Sequence, residues 1–198
     1  SANYNSKRIN FVKKIISMKK VYAVVGMAGS GKSEAVTYLV NKLGWPKVYM
    51  AAPTFDWLKK KGLPINYQNE KIARETIREQ FGANAYAKLA LKKTVKLLKK
   101  NKGVIVESLY SWTEYKIFKR KFGDNFQVIA VHATPAIRFQ RLKSRRNERP
   151  MKNYAEFQVR DYSEIEKVEK GGPIVMADYF ILNEGNLRAL HKKLAALI

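Results

Sequence analysis

The stretch VVGMAGSGKSEA, residues 24–35, sets Gly26 four residues ahead of Gly31, Lys32 and Ser33, a spacing suited to holding a chain of phosphates. Glycines at 26, 29 and 31 let the backbone curl until successive N–H groups point inward, Ser30 among them, so an anion with many oxygens meets many donors at short range. Lys32 adds a mobile positive charge, and the Ser33 hydroxyl is a hard oxygen ligand suited to Mg²⁺. The chemistry implied is the binding of a nucleoside triphosphate, ATP, with its magnesium ion. The apolar run Val21–Val25 enters the loop and an amphipathic pattern from Lys32 to Leu43 leaves it. A strand before and a helix after are the context this loop requires, and the helix turns its positive end toward the same anion.

A second reactive group stands after the apolar run Val104-Ile105-Val106, where Glu107 is followed by Ser108. A carboxylate at the end of a buried strand beside a phosphate loop holds Mg²⁺, often through water, or accepts the proton of an attacking hydroxyl. Its alternative is a capping or solvent-facing glutamate. A third group is the basic segment Arg138, Arg141, Lys143, Arg145, Arg146 and Arg149, closed by Pro150. Its charges do not alternate with acids, so it reads as an arginine lid whose guanidiniums swing over a triphosphate and stabilise developing charge. Arg160, next to Asp161, can add another; an RNA-binding arginine cluster is the rival.

The elements that position these groups alternate along the chain. Strands are expected at Val21–Val25, Lys47–Ala51, Val104–Val106, Phe126–His132 and Tyr179–Leu182. Helices are expected at Lys32–Leu43, Thr54–Lys61, Asn69–Phe81, Ala83–Lys100, Ser111–Phe122, Pro135–Ser144, Tyr154–Lys167 and Asn186–Ala196. Strands joined through helices imply a three-layer α/β/α fold with a five-stranded parallel sheet covered on both faces, ligands lying at the strand C-terminal ends. Residues 18–198 read as one domain, with a helical region at about 53–101 and the lid at about 145–153. Residues 1–17 read as a basic extension. An amphipathic helix is expected at Lys7–Met18, with Ile9, Val12, Ile15 and Ile16 on one side, packed on the domain or disordered rather than docked on a membrane.

The 198 residues carry 39 Lys and Arg against 16 Asp and Glu, a net charge of +23, and no cysteine. Disulfides and thiolate metal sites are excluded, no membrane-length apolar run is present, and a reducing cytoplasm fits. The excess of lysine is dispersed. Lys88, Lys92, Lys96 and Lys100 recur along one helical face opposite Ala87, Leu91, Val95 and Leu98, the pattern of a solvated surface helix. His132 and His191 have no partners at metal-binding spacing and read as structural or surface residues.

Taken in order, GMAGSGKSE, VIVESLYS, RFQRLKSRRNERP, FQVRDYSE and ADYFILNEGNL resemble the P-loop kinases of the adenylate kinase and dephospho-CoA kinase group, most closely a mainly archaeal dephospho-CoA-kinase-like family. The resemblance covers about Met18 to the end and implies a P-loop NTPase fold with the loop strand at the centre of the sheet. It places Arg141 against the adenine ring, Arg145 and Arg149 in the lid, and Asn183 and Gly185 beside the base. The departures gather on the acceptor side. Ala51-Ala52-Pro53-Thr54-Phe55 stands where Gly-Asp and a phosphate-gripping Arg are expected, and Glu107-Ser108-Leu109-Tyr110 where Asp-Gly-x-Arg is expected. Arg78 is the remaining candidate to grip an acceptor phosphate. Phe55, Trp57, Tyr110, Trp112 and Tyr115 offer aromatic area, for an acceptor or for the core.

The function expected is ATP-dependent, Mg²⁺-assisted phosphotransfer to a small-molecule acceptor, a nucleoside, nucleotide or dephospho-CoA-like compound, with Lys32, Glu107, Arg145 and Arg149 catalytic. The other readings are a nucleotide-dependent nucleic-acid-binding protein, whose affinity would fall steeply with salt, and an ATP-binding regulator without acceptor turnover.

Overall fold

The computed structural model describes residues 19–144, 151 and 153–198. Val21–Val25 form a buried strand, as an apolar run of this length between turn signals must when both sheet faces are covered. This strand, β1 (Lys20–Val25), has β3 (Gly103–Glu107) on one side and β4 (Phe126–His132) on the other, both parallel. The short β2 (Lys47–Tyr49) and β5 (Tyr179–Leu182) form the edges, so the order is β2-β3-β1-β4-β5 with the loop strand central, as expected. The register sets Val24 of β1 and Tyr49 of β2 opposite Glu107 of β3, which brings that carboxyl to the mouth of the loop.

Alternation along β1 divides the core. Val21, Ala23 and Val25 pack with Ala90 and Leu98 of α4 (Ala85–Leu98) and Phe118 and Phe122 of α5 (Trp112–Phe122). Tyr22 and Val24 pack with Val36 and Leu39 of α1 (Lys32–Leu43) and Leu190 and Leu194 of α9 (Leu187–Ala195). These are the three layers. Beyond β2, α2 (Ala52–Lys60) and α3 (Tyr67–Phe81) lead into α4. After β4 come α6 (Pro135–Lys143), α7 (Tyr154–Glu166) and the five-residue α8 (Gly171–Val175).

Two expectations are corrected. β2 ends at Tyr49 rather than Ala51, because α2 starts at Ala52 with Pro53 in its first turn, where proline's fixed φ is favourable. The helix α8 was not foreseen, since Gly-Gly-Pro-Ile-Val carries no helical periodicity. Lys88, Lys92, Lys96 and Lys100 are exposed, as a solvated face requires. No helix among the described residues is long and apolar enough to cross a membrane. The extension, residues 1–17, lies outside the described residues.

Candidate active site

The loop joins β1 to α1 with Gly26 at φ +146° and Gly31 at φ +100°, conformations side chains rarely adopt. A Cβ on Gly26 would sit 2.3 Å from the Val131 carbonyl oxygen, and one on Gly31 2.3 Å from the Asn183 amide nitrogen. Asn183 explains that closeness: its amide donates to the Ser30 carbonyl at 2.8 Å, and its backbone N–H to His132 at 2.6 Å. Asn183 is buried and shapes the loop. Gly31→Ala is expected to lose at least about tenfold in nucleotide affinity and roughly 1–3 kcal/mol of stability, read by nucleotide titration and denaturant unfolding.

The end of α1 that faces the loop is left open. Asn66, Ser111, Asn153 and Asn186 cap α3, α5, α7 and α9 by accepting a backbone N–H, whereas no side chain caps α1 at Gly31, as none caps α2, α4, α6 or α8. Uncapped N–H groups at a helix start are what a phosphate requires. The Ser30 hydroxyl is fully buried without a hydrogen-bond partner among the described residues, against Gly26 on the inside of the curl. A buried hydroxyl in this position fits a bound phosphate oxygen.

Lys32 Nζ donates to the Met27 carbonyl at 2.9 Å, so its ammonium lies across the loop. The Ser33 hydroxyl donates to Glu107 Oε1 at 3.4 Å, a long contact, while Lys47 Nζ lies 2.7 Å from Oε2. Glu107 is buried and therefore no solvent-facing residue. A hydroxyl and a carboxylate so close are hard oxygen donors that fit Mg²⁺. Among the described residues no group of three or more His, Cys, Asp and Glu could hold a metal, so the remaining ligands would be phosphate oxygens and water. Ser108, directly after Glu107, is held at φ +68°, a strain of the kind that collects at functional sites.

Tyr110, expected on the acceptor side, is half-buried; burial raises its hydroxyl above the ordinary tyrosine range against a hydrogen bond with Ser108. Phe55 stacks on Tyr49, centroids 6.0 Å apart. A cavity of about 300 Å³ opens between the end of β2 and helices α2 to α4, walled by Tyr49, Met50, Pro53, Trp57 and Phe81. Tyr115 is core, against Phe126, and Trp112 stacks on it at 5.0 Å. Arg78 is exposed, its guanidinium 5.8 Å from the ring of Tyr86, and it is not in the cavity lining.

The arginine segment divides. Arg138 does not swing: it is 4% exposed, bidentate to Asp161 at 2.8 and 2.5 Å, and donates to the carbonyls of Ala28 and Ala133. Its donors pack against Phe157 and tie the loop to α7, which corrects its assignment to the lid. Arg141 reaches between the carbonyls of Gly29 and Gly185, 3.5 Å from each. Arg160 pairs with Glu164 of its own helix at 3.2 Å. Arg145 and Arg149, with most of the expected lid, lie outside the described residues. Lys47, Glu164 and Lys170 were missed, and no local pattern marks them, since strand pairing and helix packing bring them to the site.

A phosphate loop between a central parallel strand and an uncapped helix, faced by an acid at the end of the neighbouring strand, defines a P-loop domain. Residues 23–169 match the family described as an AAA domain. The chain is 36% identical over 178 residues to a UPF0200 protein of Thermococcus sibiricus, covering 89% of this chain and 93% of that one. With the UPF0200 protein of Thermococcus onnurineus it shares 37% identity over 165 residues, 83% and 88% of the two chains. The chain belongs to this P-loop family of UPF0200 proteins. Its fold is shared with shikimate kinase from Bacteroides thetaiotaomicron, TM-score 0.59 at 14% identity over 90% of this chain and 96% of that one. A gluconokinase from Sinorhizobium meliloti gives TM-score 0.55 at 16% identity, over 91% and 94%.

Proposed function

We propose that the protein transfers the γ-phosphate of ATP to a hydroxyl of a small-molecule acceptor. The observation that carries this reading is the meeting of Ser33 and Glu107 at 3.4 Å beside the uncapped start of α1. Backbone amides from Gly29 to Ser33 and the Lys32 ammonium hold the β- and γ-phosphates. Ser33 and Glu107 would hold Mg²⁺, which neutralises phosphate charge when bound. By the sequence resemblance, Arg141 would lie against the adenine ring, and Arg145 and Arg149 would act on the transferring group. The acceptor oxygen forms a bond to the γ-phosphorus, the bond to the ADP oxygen breaks, and the hydroxyl proton leaves to Glu107 or to water. Shikimate kinase and gluconokinase, which share the fold, support a small hydroxyl acceptor; the sequence resemblance keeps nucleotides and a dephospho-CoA-like compound among the candidates.

The test is transfer of labelled γ-phosphate to a panel of nucleosides, nucleoside monophosphates, dephospho-CoA, shikimate and gluconate, with Lys32→Ala as the blank. Turnover of one member beyond the blank supports the reading. Tight ATP binding with no transfer to any member counts against it and favours a regulator. Glu107→Gln keeps the shape of the side chain but not its charge, and is expected to lower turnover about 10²-fold with a native unfolding curve. Unchanged turnover in that variant would remove Glu107 from the chemistry.

A further inference from the structure

Lys170, just before α8, is 6% exposed, an unusual place for a lysine. Its Nζ lies 2.6 Å from Glu164 Oε2 and 4.1 Å from the centre of the Tyr110 ring. Glu164 also takes Arg160 Nε on its other oxygen at 3.2 Å. Burial alone would raise the Glu164 carboxyl, but Lys170, Arg160 and the loop lysine Lys32 outweigh it and hold the group below its ordinary range. Burial pulls Lys170 down from the usual lysine range, against the attraction of Glu164. Two cations, Lys170 and Arg160, thus hold one carboxylate from its two oxygens, while Glu107 is already paired with Lys47.

Stability does not account for this arrangement. Desolvating an ammonium is unfavourable, and a buried ion pair seldom outperforms apolar residues of the same volume. An anion does account for it: Glu164 takes one of the three ammonium donors, and the local charge stays positive. The position is informative too. Tyr110 stands where the resemblance sets an acceptor-side arginine after β3, and its ring carries the ammonium that lies just before α8, sixty residues further along the chain.

We propose that Lys170 binds an anionic group, phosphate or carboxylate, on the acceptor, so the substrates are hydroxyl compounds that carry a negative charge. The proposal rests on the phosphotransfer reading above. Glu164 and Arg160 are positioning residues that fix the ammonium over Tyr110.

The experiment first loads the protein with Mg²⁺ and the β,γ-imido analogue of ATP, which fills the γ-phosphate position, and then titrates orthophosphate and, in a second arm, glycolate by calorimetry. Saturable binding of either anion to the wild type is expected, and which of the two binds names the group as phosphate or carboxylate. Lys170→Met should weaken that binding at least about tenfold while leaving affinity for the nucleotide analogue unchanged. Lys88→Met removes the same charge from the exposed face of α4 and should bind the anion as the wild type does. Because Lys170→Met leaves Glu164 with one partner fewer, Lys170→Met with Glu164→Gln removes both charges, and this pair must also lose the anion while binding the nucleotide analogue. Unchanged anion binding in the Lys170 variants, equal weakening in Lys88→Met, or binding of neither anion to the loaded wild type overturns the proposal. A Lys170 variant that loses affinity for the nucleotide analogue instead assigns Lys170 to the γ-phosphate and also overturns it. Failure of the wild type to bind the analogue is a separate result, and it sinks the phosphotransfer reading itself.

Discussion

Lys32→Ala is expected to reduce phosphoryl transfer by about 10³-fold or more while leaving the unfolding free energy within about 1 kcal/mol of the wild type. The two effects separate because of where the side chain lies. Lys32 opens α1 on the half-exposed rim of the loop, and its ammonium donates to the Met27 carbonyl, a bond water replaces at little cost. The core beneath α1 is built by the buried apolar side chains Ala35, Val36 and Leu39. In transfer the same ammonium meets charge that grows on the β,γ-bridging and equatorial oxygens, in a site where water no longer screens it. Turnover with a transferred acceptor, measured beside denaturant unfolding of the same preparation, decides the matter. Substantial residual turnover in a folded variant would show that the loop does not do the chemistry assigned to it.

The loop was legible because everything it needs is local: three glycines, a lysine and a serine within eight residues, with a strand and a helix on either side. The sheet was legible for a related reason. Buried parallel strands read as continuous apolar runs, and helices between them force the parallel arrangement. Glu107 was placed because the register of β1 with β3 carries any residue at that strand end to the loop. Residues whose role depends on packing were not legible in the same way. Arg138 sits in a run of arginines and looks like its neighbours, yet the face of α6 it occupies turns inward to Asp161. Lys170 precedes a stretch with no periodicity, and only the docking of α8 against α5 brings it to Tyr110. Lys47 is an ordinary edge-strand lysine until the pairing of β2 with β3 sets it beside Glu107.

Arg138 carries the largest expected effect on stability. Four of the five donors of its guanidinium have partners: Nε donates to Ala133, one terminal nitrogen to both Ala28 and Asp161, and the other to the second Asp161 oxygen. The guanidinium also lies 5.0 Å from the Phe157 ring, so the end of β4, the phosphate loop and α7 meet on one side chain. Arg138→Met fills similar volume but leaves the Asp161 carboxylate buried, with its side chain 11% exposed, and without its cation. Breaking such a pair costs about 3–5 kcal/mol, a fall in Tm on the order of 10 °C for a chain of this size. Arg138→Met with Asp161→Leu should recover most of that loss, because replacing both charges by apolar groups leaves nothing unpaired. Nucleotide affinity should behave differently: the hydrogen bond to the Ala28 carbonyl is missing in both variants, so both should bind ATP more weakly than the wild type even where the double variant regains its stability. A single variant as stable as the wild type would mean that water reaches Asp161 and that the pair does not hold α7 to the loop. A double variant with native affinity would show that Arg138 supports the fold without shaping the phosphate site.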